Sequence, residues 1–142
     1  MNKGLVAKAN IKIDAPVTKI WDALVKPEII EKYMFGADVT SDWKEGSNIT
    51  WEGEMDGKPY KDKGVILKIE KEKMLEYTHF SSLSGAEDKP ENYHTLHYDL
   101  SSDGKSTSVS LTQDNNENEK AKENSEKMWK AMLEGLKKTV EK

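Results

Sequence analysis

One face of the segment from Glu117 to Val140 is apolar and the rest of it is charged, so a helix formed there needs a partner surface. Ala121, Met128, Trp129, Met132, Leu133 and Leu136 recur with the spacing that aligns side chains along one helical face. The other face interleaves Lys120, Lys122, Lys127, Lys130, Lys137 and Lys138 with Glu119, Glu123, Glu126 and Glu134. Glu123 with Lys127 and Glu126 with Lys130 stand in the favourable i,i+4 order, which reads as a solvated face. A membrane or chaperone surface would need a stripe of one sign, and none is present.

The upstream chain must supply the partner surface, and its patterning is that of a sheet. Leu5, Ala7, Ala9, Ile11 and Ile13 alternate with Lys8, Asn10 and Lys12, predicting a half-buried strand. After Asp14-Ala15-Pro16, the positions Val17, Ile20, Trp21, Leu24 and Val25 predict a short amphipathic helix, ended by Lys26-Pro27. A second helical piece is expected from Pro27 to about Tyr33, closed by Met34-Phe35-Gly36, and Val39 to Gly46 reads as loop and turn. Ile49, Trp51, Gly53 and Met55 predict a strand, and Asp56-Gly57 a tight hairpin into the next, about Lys58 to Glu70, with Val65, Leu67 and Ile69 inward. A strand from Leu75 to Phe80 and a surface loop from Ser81 to Glu91 follow. Tyr93 to Leu100 and a strand carrying Thr107, Val109, Leu111 and Gln113 complete the sheet, joined at Asp103-Gly104. The order is one strand, two short helices, a run of antiparallel strands and one long helix, an α+β arrangement without repeats or linkers.

Composition narrows the function. The chain of 142 residues is of single-domain length, so one domain spanning 1–142 is expected. There is no cysteine, which excludes disulfides and thiolate metal sites. All 22 basic residues are lysine and the net charge is −4. Without the planar fork of arginine, specific reading of nucleic acid is not expected. The apolar run at Leu5-Val6-Ala7 is too short for a signal peptide or a membrane span, so a cytoplasmic protein without membrane association is expected.

Four stretches resemble a known family. Asp14-Ala15-Pro16 with Ile20-Trp21-Asp22-Ala23-Leu24, then Trp43-Lys44-Glu45-Gly46-Ser47, then Gly64-Val65 before Leu75, and finally Met128-Trp129 with Met132-Leu133 and Leu136 resemble, in order and spacing, the SRPBCC or START-related superfamily. Within it, the resemblance is to the family like the C-terminal domain of the activator of heat-shock protein 90 ATPase. It implies a helix-grip fold, a curved antiparallel sheet wrapped around the long C-terminal helix, with an internal cavity that often takes an apolar small molecule. The co-chaperone itself carries a further domain, for which 142 residues leave no room.

The resemblance turns inward-facing residues into candidates for lining that cavity: Trp51, Tyr77, His79, Tyr98, Gln113, Met128 and Met132, with Tyr33 and Met34 near its mouth. Aromatic and methionine side chains with a few polar groups are the usual makings of a small-molecule pocket. Met132→Trp is expected to fill the cavity and abolish binding.

Conventional catalytic signals are weak. His94 and His97, three apart on a strand, should face opposite ways and cannot share a metal ion. The serines, at Ser81-Ser82, Ser84 and Ser101-Ser102, sit in loops without a nucleophile-elbow pattern. Glu52 and Glu54 lie on an outward face, no acid is expected on an inward strand face, and no phosphate-cradling glycine loop precedes a helix. The reading is a non-catalytic domain binding a small hydrophobic molecule, aromatic or lipid-like, with no cofactor or metal. A chaperone-binding module is the alternative, and an enzyme resembling the polyketide cyclases, with His79, Tyr77 or Tyr98 as proton donors, is the third. A monomer is expected, with exposed edge strands leaving a dimer open.

Overall fold

Alternation of apolar and polar side chains shapes the first strand, β1 (Leu5–Ile13), which buries Ala7, Ala9 and Ile13 and turns Lys8 and Lys12 out. The computed structural model describes residues 4–34, 36–82 and 85–141. Helices α1 (Val17–Val25) and α2 (Pro27–Tyr33) follow, broken where Lys26 precedes Pro27 and takes an extended backbone. Then come β2 (Asp38–Ser41), β3 (Asn48–Met55), β4 (Lys58–Glu70), β5 (Met74–His79), β6 (His94–Ser102), β7 (Thr107–Asn116) and α3 (Glu119–Val140). Of the segment expected to close α2, Phe35 lies outside the described residues, as does Ser84 of the predicted surface loop.

The strands form one antiparallel sheet in the order β1-β7-β6-β5-β4-β3-β2. Asp56 and Gly57 join β3 to β4 with φ of 52° and 80°, the left-handed pair that a two-residue hairpin of this twist requires. The sheet curves around α3, which packs chiefly on β1, with α2, β7 and α1 also against it, while α2 packs in turn on β2. This is the helix-grip α+β fold. Met132, Leu133, Leu136 and Val140 are the buried stripe of α3. Among the described residues, no helix is long and apolar enough to cross a membrane.

Three expectations need correcting, the first being that Ser101 and Ser102 end β6 rather than sitting in a loop. Residues 38–41 form β2 rather than loop, paired with β3 from Asp38 opposite Glu52 to Ser41 opposite Ile49. The strand is four residues long and buries only Val39, too little alternation to register as a period. In β4, Ile66 is the inward residue at 0% exposure, whereas Leu67 is 42% exposed and Val65 is only partly buried. The cause is an irregularity between Ile66 and Lys68 in the pairing with β5, which inserts one residue and reverses the inward parity on either side. Ile69, beyond it, does pack against the core.

The charged face of α3 is less solvated than its sequence implies. The backbone groups on the free edge of β1 are met by its side chains: Glu126 accepts from Lys8 N at 3.0 Å, and Lys130 Nζ donates to Asn10 O at 3.1 Å. Further along, Lys137 Nζ donates to Lys12 O at 3.3 Å, and Glu141, just past the helix, accepts from Asp14 N at 2.7 Å. An edge occupied in this way is a poor template for another strand, which leaves β2 as the open edge. Glu126 pairs at i,i+4 with Lys122, at 3.8 Å, rather than with the expected Lys130, and Lys122 also reaches Glu119 at 4.0 Å. The helix starts at Asn118, whose side chain accepts from Ala121 N at 2.9 Å. Asn118→Ala is expected to cost about 1 kcal/mol, read as a lowered urea midpoint with an unchanged slope.

Candidate functional site

The irregularity in β4 decides which side chains face the helix side of the sheet. Before it, Tyr60, Asp62, Gly64 and Ile66 share the inward parity, so an acid lies on an inward strand face, contrary to the sequence expectation. Parity counted back from Val65 and Leu67 turns Asp62 and Tyr60 outward, and the extra residue in β4 returns both to the inward face.

These residues border a cleft of about 340 Å³ between the sheet and the first half of α3. Trp51, Tyr77, Leu96 and Gln113 form its floor from four strands, Met128 and Trp129 approach from α3, and Met34 and Ala37 close the side next to α2. Met128 is 44% exposed, which places it at the mouth. Trp129 is held in place, its Nε1 donating to Gln113 Oε1 at 2.6 Å.

Aromatic packing fixes the depth of the cleft. The ring of Trp51 lies 5.3 Å from Tyr77, and Tyr77 lies 5.8 Å from Tyr98. The Tyr77 and Tyr98 hydroxyls are hydrogen-bonded at 3.0 Å, and Tyr33 donates to Ala23 O at 2.5 Å. Only about 10 Å³ remains among these rings and their aliphatic neighbours, so the interior beneath the cleft is filled. Burial pushes the Tyr98 hydroxyl up to about 12. Burial, with Tyr98 close by, also holds Tyr33 and Tyr77 well above the ordinary tyrosine range. All three remain neutral hydroxyls at physiological pH.

The polar end of the cleft is formed by His79, His94, Asp62, Tyr60 and Ser81. His79 Nε2 lies 2.9 Å from Asp62 Oδ2, while Asp62 Oδ1 accepts from Ser82 N at 2.9 Å and from Ser82 Oγ at 3.2 Å. Burial raises the Asp62 carboxyl, but the hydrogen bonds from His79 and Ser82 outweigh it and hold the group below the usual carboxylate range. The rings of Trp51 and His79 pack nearly perpendicular, with centroids 4.9 Å apart. His97 faces the opposite side of the sheet, between Glu76 at 3.1 Å and Asp99 at 3.0 Å. Among the described residues no group of three or more His, Cys, Asp or Glu side chains could hold a metal ion. A second depression, of about 840 Å³, runs between β1 and α3, but it is more open and lined largely by lysine and glutamate.

The model of the family described as Activator of Hsp90 ATPase homolog 1-like protein matches residues 14–141. The chain belongs to this family. Among solved structures, ChR145 from Cytophaga hutchinsonii is 53% identical, with 99% of this chain and 97% of that chain covered and a TM-score of 0.86. The Aha1 dimer from Colwellia psychrerythraea is 21% identical over 96% of each chain, with a TM-score of 0.74. DynU16, encoded in the dynemicin biosynthetic locus, is 12% identical, with 96% of this chain and 47% of that chain covered and a TM-score of 0.79. The last two likenesses are of fold. No curated protein sequence matched.

In this member of the Hsp90 ATPase activator-like family, the cleft brings together Met34, Trp51, Tyr77, His79, Gln113 and Met128 of the residues singled out from sequence. Tyr33, Tyr98 and Met132 lie instead in the packed core, Met132 at 1% exposure. Met132→Trp would therefore overpack the core, at a cost of about 1–3 kcal/mol or more, rather than fill the cleft. Ala37, Tyr60, Asp62, Ser81, His94 and Leu96 were not singled out as cleft residues. For Tyr60 and Asp62 the available signal was Gly64, which shares their parity and whose lack of a side chain allows β5 to approach closely.

Proposed function

We propose that this protein binds a small hydrophobic molecule, aromatic or lipid-like, in the cleft between the sheet and α3, without catalysing a reaction on it. The observation that carries this reading is the cleft itself. It is bordered mainly by Trp51, Tyr77, Leu96, Met128 and Trp129, with a few polar groups gathered at one end. Its volume of about 340 Å³ falls within the range of small-molecule sites. Binding is tested by calorimetric titration with naphthalene derivatives and with oleate. Met128→Trp should weaken binding by about tenfold or more while leaving the urea midpoint unchanged, because position 128 is at the mouth and half exposed. Undiminished binding in the folded variant would place the ligand elsewhere.

Two other readings each have one observation in their favour. The family's description names an ATPase activator, so a chaperone is a candidate partner, and stimulation of a purified chaperone ATPase is the test. No stimulation at saturating protein would dismiss it. The Asp62–His79 pair is a feature that a polyketide-cyclase-like enzyme could use. Against that reading, burial keeps Tyr77 and Tyr98 protonated, which makes them weak proton donors. An enzyme would convert a bound compound, visible as a changed mass or, for an isomerisation, as a changed absorption spectrum; an unaltered compound after prolonged incubation would count against it.

A further inference from the structure

We infer that the ligand of this cleft carries a hydrogen-bond donor, a hydroxyl on an apolar skeleton, and that a cross-strand pair of histidines accepts from it. The inference rests on the binding reading above and deepens it. His79 on β5 and His94 on β6 are directly opposite in the antiparallel register, where paired side chains are near neighbours. Both line the polar end of the cleft.

The hydrogen bonds of the two rings fix which nitrogen carries the proton. Asp62 is ionised and can only accept, so the contact at 2.9 Å makes His79 Nε2 the donor. A backbone carbonyl can only accept, so the 2.9 Å contact with Asp114 O makes His94 Nδ1 the donor. A neutral imidazole that donates through one nitrogen offers a lone pair on the other. His79 Nδ1 and His94 Nε2 have no hydrogen-bond partner among the described residues. No buried side-chain nitrogen or oxygen there lacks a partner, so both atoms keep some exposure, and both residues line the cleft.

The polar end thus presents two imidazole acceptors, with the Asp62 carboxylate behind one of them and the hydroxyls of Tyr60 and Ser81, which can donate as well as accept, beside them. Tyr60, the remaining titratable group at this end, is held above the ordinary tyrosine range by burial and by Asp62, so it stays a neutral hydroxyl. Such an end suits a phenol or alcohol. An ether satisfies neither lone pair, and a carboxylate would meet lone pairs and a like charge.

Three probes of one skeleton, titrated at pH 8, separate these cases. 2-Naphthol is expected to bind about three- to tenfold more tightly than 2-methoxynaphthalene, the worth of one neutral hydrogen bond. 2-Naphthoate should be weakest. In His79→Phe and His94→Phe the preference for the naphthol should shrink towards unity while 2-methoxynaphthalene still binds, which also shows that the variants are folded. If either variant fails to fold, the nitrogen-15 spectrum of the unaltered protein decides. It should show the lone pair on Nδ1 of His79 and on Nε2 of His94, and the opposite tautomers would overturn the inference. Equal binding of naphthol and ether would overturn it but leave the apolar site standing, as would tightest binding of naphthoate. Failure of all three probes to bind would count against the site itself, and the inference would fall with it.

Discussion

Gly64→Ala is expected to remove about 3–5 kcal/mol of stability, a large share of the roughly 5–15 kcal/mol available to a domain of this size. An alanine Cβ at position 64 would lie 1.7 Å from the carbonyl oxygen of Thr78 and 2.5 Å from its carbonyl carbon. Both atoms belong to the backbone of β5, so no side chain can turn aside to make room. The two strands are tied on either side of the contact. Lys63 and Phe80 exchange backbone hydrogen bonds at 3.2 and 2.8 Å, and Val65 N donates to Thr78 Oγ1 at 2.9 Å. Relief of the clash must break some of these bonds, each worth about 1 kcal/mol net. It must also shift Asp62 and His79, which flank the contact, so any variant that remains folded should bind cleft ligands poorly. Urea unfolding gives the first effect directly; a wild-type midpoint would mean that β4 and β5 do not approach as closely as described.

Leu133→Ala should cost about 2–5 kcal/mol, the range for emptying a fully buried leucine site. Leu133 is at 0% exposure in the stripe that holds α3 against the sheet. The rest of that helix is too polar to dock without it. Lys127, exposed on the same helix, is the control: Lys127→Ala should stay within about 0.5 kcal/mol of wild type. Equal effects of the two substitutions would contradict the assignment of the buried face.

Local signals made most of the elements legible in the sequence. β1 showed a clean period of two, α1 and α2 were bounded by Pro16 and Pro27, and Asp56-Gly57 fixed the hairpin between β3 and β4. What stayed hidden depended on contacts between distant segments. β2 is a strand because β3 lies beside it, not because four residues carry a pattern. The inward parity of β4 reverses at an irregularity that arises in pairing with β5, and that single step concealed Asp62. The facing of His79 and His94 depends on the register across the long connection from residue 81 to 93. The roles of Glu126, Lys130 and Lys137 in covering the edge of β1 depend on where α3 docks.

The most direct test of the cleft as a binding site is to follow the four tryptophan indole N–H signals by NMR during titration with 2-naphthol. Trp51 and Trp129 border the cleft, whereas Trp21 is buried on α1. Saturable shifts of Trp51 and Trp129, with Trp21 unmoved, are the expected result. Shifts of Trp21 equal to those of the cleft pair, or no shift at either cleft tryptophan, would contradict the proposal that the cleft is where this protein takes its ligand.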